Sequence, residues 1–192
     1  GTEYLDFAAG IAVCALGHAH PTLVAALEHQ ARRLWHVSNL YEIPEQRALA
    51  ERLVAATFAD TAFFTNSGTE SVEMAIKMVR RYWHDRGEER PKILAFEGAF
   101  HGRSTGAIAA AGGDKLTKGF EPLMPGFVHL GFGDHDALRA AMDRDVAAVF
   151  LEPIQGEGGI RVVPDHCLRG LRELCDETGA LLVLDEIQCG MG

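Results

Sequence analysis

The chain has 192 residues, of which 47% are hydrophobic and 23% are charged, and its formal net charge is -9. This balance is typical of a globular protein with an apolar core and excludes the disordered and fibrous classes. The acidic charge and the scattered basic residues exclude an electrostatic nucleic-acid footprint. No apolar run reaches the roughly 20 residues that a membrane-spanning helix needs, so no membrane partner is expected.

The cysteines show no CxxC pairing and no regular spacing, and the histidines form no metal-binding array. We therefore expect no metal site and no disulfide framework, but free thiols in a reducing cytoplasm. The four cysteines are Cys14, Cys167, Cys175 and Cys189.

Helical spacing of apolar residues predicts five helices along the chain. They cover residues 21–37, 44–58, 69–83, 136–142 and 165–178. Short apolar runs bounded by glycine, proline or charged residues predict five strands. They cover residues 62–65, 92–96, 127–130, 146–151 and 181–184.

The strand runs are apolar throughout instead of alternating, which is typical of parallel strands covered by helices on both faces. The predicted fold is therefore α/β, a three-layer α/β/α arrangement with a mostly parallel sheet. Ligands of such sheets collect outside the carboxyl ends of the strands. The segments that follow the predicted strands are the candidate site, and residues 112–126 are predicted to form a long functional loop.

The first candidate segment joins the run ending at Thr65 to the third helix. In it, Ser67, Gly68 and Thr69 place backbone N–H groups and two hydroxyls at a helix start, an arrangement that suits a phosphate. Ser67 followed by Glu70 is also an ordinary helix cap, and the sequence alone leaves both interpretations open.

The second candidate segment follows the strand at 92–96. Here Phe100 offers an aromatic face for a planar ring, and Arg103 offers a planar fork for a carboxylate. A core position for Phe100 and a solvated position for Arg103 are equally compatible with the pattern. His101 fits either a catalytic base or a structural histidine.

The third candidate segment places Asp185 at the end of a fully apolar strand, followed by Ile187 and Gln188. An acid in this position suits an ion pair with a protonated heterocyclic nitrogen. Metal binding or capping of the next helix are alternatives. A fourth segment sets Glu152 and Glu157 beside the glycines of 156–159, which also fits a simple turn.

Taken together, these segments resemble the class III pyridoxal-phosphate-dependent aminotransferases over essentially the whole chain. The resemblance rests on YLDFAAGIAV, LGHAHP, SNLYEIPEQ, FFTNSGTE, EPIQGEGGIR and DEIQCGMG. It implies the fold-type I large domain, with residues 1–40 as a leading segment and 41–192 as a partial large domain. It also implies a homodimer with sites at the subunit interface.

The resemblance further implies a role for each matching residue. Ser67, Gly68 and Thr69 would bind the phosphate of pyridoxal 5'-phosphate. Its ring would lie between Phe100 and Ile187, with Asp185 at the ring nitrogen and Gln188 near the ring oxygen. Arg103 would bind the α-carboxylate of the substrate, and Glu157 would pair with a gating arginine further along the chain. Glu152 is carried over only as a supporting residue.

The chain departs from the family in three places. The family usually has GAE or GVE where this chain has residues 68–70, and GRT where it has residues 102–104. The family's cofactor-binding lysine lies some tens of residues beyond the DE-x-Q strand, so we expect the chain to be truncated and to lack it. Lys77, Lys92, Lys115 and Lys118 sit in no matching motif.

The expected substrates are small amino acids and 2-oxo acids. The resemblance implies transamination of N-acetylornithine with 2-oxoglutarate in arginine biosynthesis by the complete enzyme. Succinylornithine, ornithine, 4-aminobutyrate and acyl-lysine remain alternative amine donors, and a decarboxylase or racemase on the same scaffold remains a rival. For the 192 residues alone, we expect a catalytically silent fragment that at most binds cofactor or a partner.

Overall fold

The computed structural model describes residues 1–191, so Gly192, the last residue of the DEIQCGMG segment, lies outside the described residues. The chain divides into two compact units, Gly1–Phe64 and Thr65–Gly192. The assignment of residues 41–192 to one large domain stays a prediction. No helix in residues 1–191 is long and apolar enough to cross a membrane.

The first unit contains a short turn, α1 (Ala9–Ala12), and two helices, α2 (Pro21–Ala31) and α3 (Pro44–Ala56). No residue of these elements is buried, so the predicted apolar stripe of α2 faces no core in this unit. Both helices begin at a proline, which suits the first turn because no N–H is needed there.

Helix α2 ends six residues before the predicted position. The Trp35 indole N–H donates to the Ala31 carbonyl at 2.6 Å, and the Gln30 carbonyl accepts from the backbone N–H groups of Arg33 and Leu34. The final turn thus satisfies carbonyls that a longer helix would use. Helix α3 ends two residues early because Thr57 becomes extended and its hydroxyl donates to the Leu53 carbonyl at 2.8 Å.

The prediction of a strand at 62–65 is wrong for this structure, in which those residues form no strand. An apolar run becomes a strand only beside another strand whose backbone completes the ladder. Thr65 instead joins the start of the next helix, because its hydroxyl donates to the Ser67 carbonyl at 3.1 Å and lies 2.6 Å from the Ser71 hydroxyl.

Within residues 65–191, the second unit contains one main sheet and five helices. Its strands are β1 (Lys92–Phe96), β2 (Phe127–Leu130), β3 (Val146–Leu151), β4 (Ile154–Gln155), β5 (Arg161–Val162) and β6 (Leu181–Leu184). Its helices are α4 (Gly68–His84), α5 (Thr105–Ala111), α6 (Asp114–Thr117), α7 (His135–Ala141) and α8 (Asp165–Thr178). The bounds of α8 match the sequence prediction, and α6 lies inside the region predicted as a loop.

The main sheet has the order β2-β1-β3-β6, and all of its strands are parallel. Every residue of β3 is buried, as expected for a central strand covered on both faces. One apolar cluster joins α7 and α8 to one face of the sheet, and another joins α4 and α5 to the opposite face. The second unit is therefore the predicted three-layer α/β/α arrangement.

Strands β4 and β5 form a small antiparallel hairpin that the sequence did not predict. They flank the glycines at 156–159 and follow β3 directly. Two-residue strands carry too little apolar pattern to be detected in a sequence. The hairpin sets Glu152 and Glu157 close to the edge where β3 ends.

Candidate active site

The candidate site lies where β1, β3 and β6 end. Because the three strands are parallel neighbours, their carboxyl ends share one edge of the sheet. The loop that follows β1 carries Phe100, His101 and Arg103, while Glu152 follows β3 and Asp185 follows β6. This edge brings together three of the four segments that the sequence singled out.

Asp185 forms a buried pair with His101. The histidine Nδ1 lies 2.8 Å from the Asp185 Oδ2, and the two side chains are 0% and 8% exposed respectively. The other carboxylate oxygen, Oδ1, accepts from the Ile187 backbone N–H at 3.2 Å. Both oxygens are therefore oriented, and since a carboxylate has about four acceptor positions, it retains capacity for a further donor.

Glu152 is a second buried acid at this edge and is 7% exposed. Its Oε2 accepts from the Phe100 backbone N–H at 2.9 Å. Burial raises the pKa of this carboxyl, and the hydrogen bond from Phe100 opposes the rise in part. Glu152 thus anchors the backbone of Phe100, beside the residue that pairs with Asp185.

Glu152→Gln tests that pKa shift. Because the folded protein holds the Glu152 pKa above its ordinary value, this group stabilises the fold below that value and loses its contribution as the pH rises through the raised pKa. Glutamine keeps an acceptor for Phe100 but does not ionise. We expect the free energy of unfolding of the variant, minus that of wild type, to increase from pH 4 to pH 7. Urea titrations across this range measure it, and a difference that is constant with pH would contradict the assignment.

The phosphate-type segment lies at the N-terminus of α4. Ser67 caps the helix, its hydroxyl accepting from the Glu70 N–H at 3.2 Å, while the Glu70 carboxylate accepts from the Asn66 N–H at 2.6 Å. Ser67 therefore acts as the helix cap that the sequence allowed. The N–H groups of Gly68 and Thr69 have no acceptor among residues 1–191. Since they precede the first intrahelical bond, these two donors remain available to an anion.

The loop after β1 packs directly against this helix start. The Thr69 hydroxyl oxygen accepts from the Arg103 N–H at 3.4 Å. Gly102 has a φ of 118°, and a Cβ added there would lie 3.1 Å from the Thr69 Cα and overlap its hydroxyl. Only glycine permits so close an approach, which links the phosphate-type segment to the segment bearing Phe100 and Arg103.

Phe100 and Arg103 form a contact of their own. The Arg103 guanidinium carbon lies 5.5 Å from the centre of the Phe100 ring, within the range of a cation–π interaction. Phe100 is half-buried and Arg103 is exposed, so the guanidinium N–H groups remain open to an anionic ligand. Glu157 is exposed in the β4–β5 turn.

Ile187 and Gln188 lie next to glycines of two other segments. A Cβ added at Gly68 would lie 3.0 Å from the Ile187 side chain, which places Ile187 against the α4 start. A Cβ added at Gly156 would overlap the side-chain oxygen of Gln188. Both side chains are exposed, Ile187 by 66%. Every residue predicted for the site, apart from Ser67 and Glu157, thus has a neighbour from another predicted segment.

Three buried polar residues of the site were missed or underrated in the sequence. They are His101, Glu152 and Gln155, which are 2%, 7% and 0% exposed. Gln155 donates to the Glu97 carbonyl at 3.1 Å and so ties β4 to the loop after β1. The available signal was position alone, since His101 and Glu152 lie in the segments after β1 and β3, and Gln155 lies four residues beyond β3. Their partners lie 52 to 84 residues away along the chain, beyond any local pattern.

Comparison with known proteins identifies the family. The family model described as aminotransferase class III matches residues 1–192. The chain belongs to the class III aminotransferases. A curated relative, acetylornithine aminotransferase from Rhodobacter capsulatus, is 66% identical over 192 residues, which are 100% of this chain and 49% of that protein. The chain thus spans about half the length of the curated relatives that it matches.

Solved structures of aminotransferases share the fold. N-acetylornithine aminotransferase from Stenotrophomonas maltophilia matches with a TM-score of 0.82 and 46% identity, covering 98% of this chain and 47% of that one. Ornithine aminotransferase from Toxoplasma gondii matches with a TM-score of 0.93 and 34% identity, covering 100% of this chain and 46% of that one. The latter protein has PLP at partial occupancy in its active site.

Proposed function

We propose that the complete protein is a pyridoxal-phosphate-dependent acetylornithine aminotransferase. It would transfer the amino group of N-acetylornithine to 2-oxoglutarate, giving N-acetylglutamate semialdehyde and glutamate, a step of arginine biosynthesis. The observation that carries the proposal is the 56 to 66% identity, over the whole chain, to several curated relatives of that name. Relatives named ornithine aminotransferase match at 33 to 34% identity.

The residues at the strand ends fit the proposed cofactor. The free N–H groups of Gly68 and Thr69 at the start of a 17-residue helix suit its phosphate, with the Ser67 and Thr69 hydroxyls beside them. The oriented carboxylate of Asp185 suits its ring nitrogen, and Phe100 and Ile187 suit its ring faces. Bound there, the cofactor supplies an electron sink for the substrate carbon.

The chain's own residues would hold and orient the reactants. Asp185 would favour a proton on the ring nitrogen, because an adjacent anion stabilises the protonated form. Arg103 would present N–H groups to the α-carboxylate of the substrate, and Gln188 would approach the ring oxygen. Glu157, exposed on the β4–β5 turn, would pair with an arginine that opens and closes the substrate site.

The proposed substrate is tested by comparing amine donors. The complete enzyme, loaded with pyridoxal phosphate, is assayed with N-acetylornithine, succinylornithine, ornithine, 4-aminobutyrate and an acyl-lysine, each with 2-oxoglutarate. We expect kcat/KM for N-acetylornithine to exceed that for ornithine and 4-aminobutyrate at least about tenfold, which requires about 1.4 kcal/mol of discrimination. A preference for ornithine or 4-aminobutyrate would reject the substrate, and release of carbon dioxide would reject the reaction.

For the 192 residues by themselves we propose binding without turnover. Lys92 is paired with Asp143 at 2.7 Å, at the amino end of β1 and so at the sheet edge opposite Asp185. Lys77, Lys115 and Lys118 are exposed. Borohydride treatment of this chain with pyridoxal phosphate is therefore expected to trap no single lysine. Specific trapping accompanied by turnover would overturn this.

We also propose that the complete enzyme is a homodimer in the cytoplasm. The first unit leaves large apolar side chains uncovered, including Tyr4, Phe7, Trp35 and Phe58, which are 86 to 97% exposed. Burial of these side chains against a second copy would remove apolar surface from water and so stabilise the dimer. The free thiols of all four cysteines suit a reducing compartment. Light scattering of the complete enzyme should give twice the mass of one chain, and a monomer would contradict the proposal.

A further inference from the structure

We infer that His101 is a positioning residue. It holds the carboxylate of Asp185 toward the cofactor and fixes the position of that carboxylate relative to Phe100. The inference rests on the proposed function, because it assigns His101 a role at the cofactor ring. The observation behind it is a contact that no motif indicated, the 2.8 Å approach of the His101 Nδ1 to the Asp185 Oδ2, between side chains that are 0% and 8% exposed.

The hydrogen of this bond belongs to the histidine. An ionised carboxylate only accepts, so the Nδ1 carries the proton and donates it to Asp185. The Nε2 is buried and has no hydrogen-bond partner within residues 1–191. The imidazole and the Phe150 ring are nearly perpendicular, at 85°, with their centres 6.0 Å apart.

An unpartnered Nε2 is costly, at about 1–3 kcal/mol for a buried polar atom. A leucine or phenylalanine in the same place would avoid that cost. The histidine is therefore explained by what its Nδ1 does, which is to fix one oxygen of Asp185 while the Ile187 N–H fixes the other. A carboxylate held at both oxygens is restricted in rotation and presents its remaining lone pairs in fixed directions.

A role as general acid or base does not fit His101. Its side chain is 0% exposed, its Nδ1 is occupied by Asp185, and its Nε2 is buried with no hydrogen-bond partner among residues 1–191. A catalytic base must approach the proton that it removes to within hydrogen-bond distance. His101 therefore acts through Asp185 and not on the substrate.

The same residue couples the two contacts proposed for the cofactor ring. Phe100 precedes His101, and its backbone N–H is bound by Glu152 at the end of β3. The dipeptide 100–101 is thus held by two acids from adjacent strands. Displacing His101 would move both the aromatic face and the acid that meets the ring nitrogen.

The test uses the complete holoenzyme with His101→Asn, His101→Gln and His101→Leu. Asparagine places an amide N–H near the position of the Nδ1, whereas glutamine carries the same amide one methylene further and leucine has no donor. As a matched control, His129→Leu removes a histidine outside the site that is partly buried and whose Nε2 bonds to the Ala109 carbonyl on α5 at 3.0 Å. The readouts are the pH midpoint of the bound-cofactor absorbance, the Kd for pyridoxal phosphate, and kcat and KM separately.

We expect His101→Leu and His101→Gln to shift the absorbance midpoint and to lower kcat about 10- to 100-fold, the range seen when a partner of a ligating side chain is lost. His101→Asn should recover most of kcat and the wild-type midpoint, and His129→Leu should leave the midpoint unchanged. If His101→Leu does not fold, the comparison of the asparagine and glutamine variants decides. Equal behaviour of these two variants overturns the inference.

The inference and the proposed function fail in different ways. Wild-type enzyme that neither binds pyridoxal phosphate nor transaminates any donor overturns the proposed function, and the role of His101 with it. Wild-type enzyme that does both, with variants whose midpoints and kcat equal those of wild type, overturns only the role of His101.

Discussion

Asp185→Asn is expected to lower kcat/KM of the complete enzyme by about 10²- to 10⁴-fold. The asparagine oxygen still accepts from His101, so the shape of the site is kept and only the charge is removed. Losing one partner of a buried charge pair costs about 3–5 kcal/mol, and each 1.36 kcal/mol corresponds to a tenfold change in rate. The loss should appear in kcat, because an uncharged residue no longer favours the proton on the ring nitrogen.

Asp176→Asn provides the matched control for this prediction. Asp176 makes a 2.5 Å ion pair with Arg172 on α8, where it is 66% exposed, and an exposed pair of this kind contributes about 0–1 kcal/mol. Its replacement should leave steady-state kinetics unchanged. An Asp185→Asn enzyme with wild-type kcat would remove Asp185 from the cofactor site.

The architecture of the second unit could be predicted because its signals are local. The strand β3 is apolar at every position and buried at every position, and α8 has both an apolar stripe and a glycine directly after its last residue. These features depend on a few neighbouring residues. Parallel pairing then follows, since helices separate most of the strands.

The first unit shows where local pattern fails. The stripe of α2 predicts a buried face, yet none of its residues is buried, because burial depends on what packs against the helix. Residues 62–65 have the composition of a strand but no neighbouring strand in the ladder. An apolar pattern therefore predicts which face of a segment can be buried, but it does not predict which other segment packs against that face.

In the candidate site too, one part could be predicted from local sequence and another part could not. The strand-end rule located the segments, because parallel strands deliver their following residues to one edge. The pairing inside the site depends on contacts between residues 101 and 185 and between residues 100 and 152, which are set by the register of β1, β3 and β6. Register between distant strands is not encoded in any one segment.

Gly102→Ala is expected to destabilise the protein by about 2–5 kcal/mol and to weaken pyridoxal-phosphate binding. A side chain at a φ of 118° costs about 1–2 kcal/mol, and forcing a methyl group against Thr69 adds about 1–3 kcal/mol. Displacing Thr69 also moves the N–H groups proposed to bind the phosphate. The free energy of unfolding without cofactor and the Kd for pyridoxal phosphate measure the two effects.

Gly113→Ala is the control that separates the backbone strain of a positive φ from the steric contact with Thr69. Gly113 also has a positive φ, 77°, but a Cβ there would meet nothing within 4 Å. The Gly113→Ala variant should therefore lose only about 1–2 kcal/mol of folding stability, the cost of its backbone angle, and should keep wild-type affinity for the cofactor. Since the two substitutions differ mainly in the contact with Thr69, equal losses of stability and affinity would show that Gly102 is needed for its backbone angle alone. A larger loss at Gly102 would instead show that the approach of the β1 loop to the α4 start builds the site.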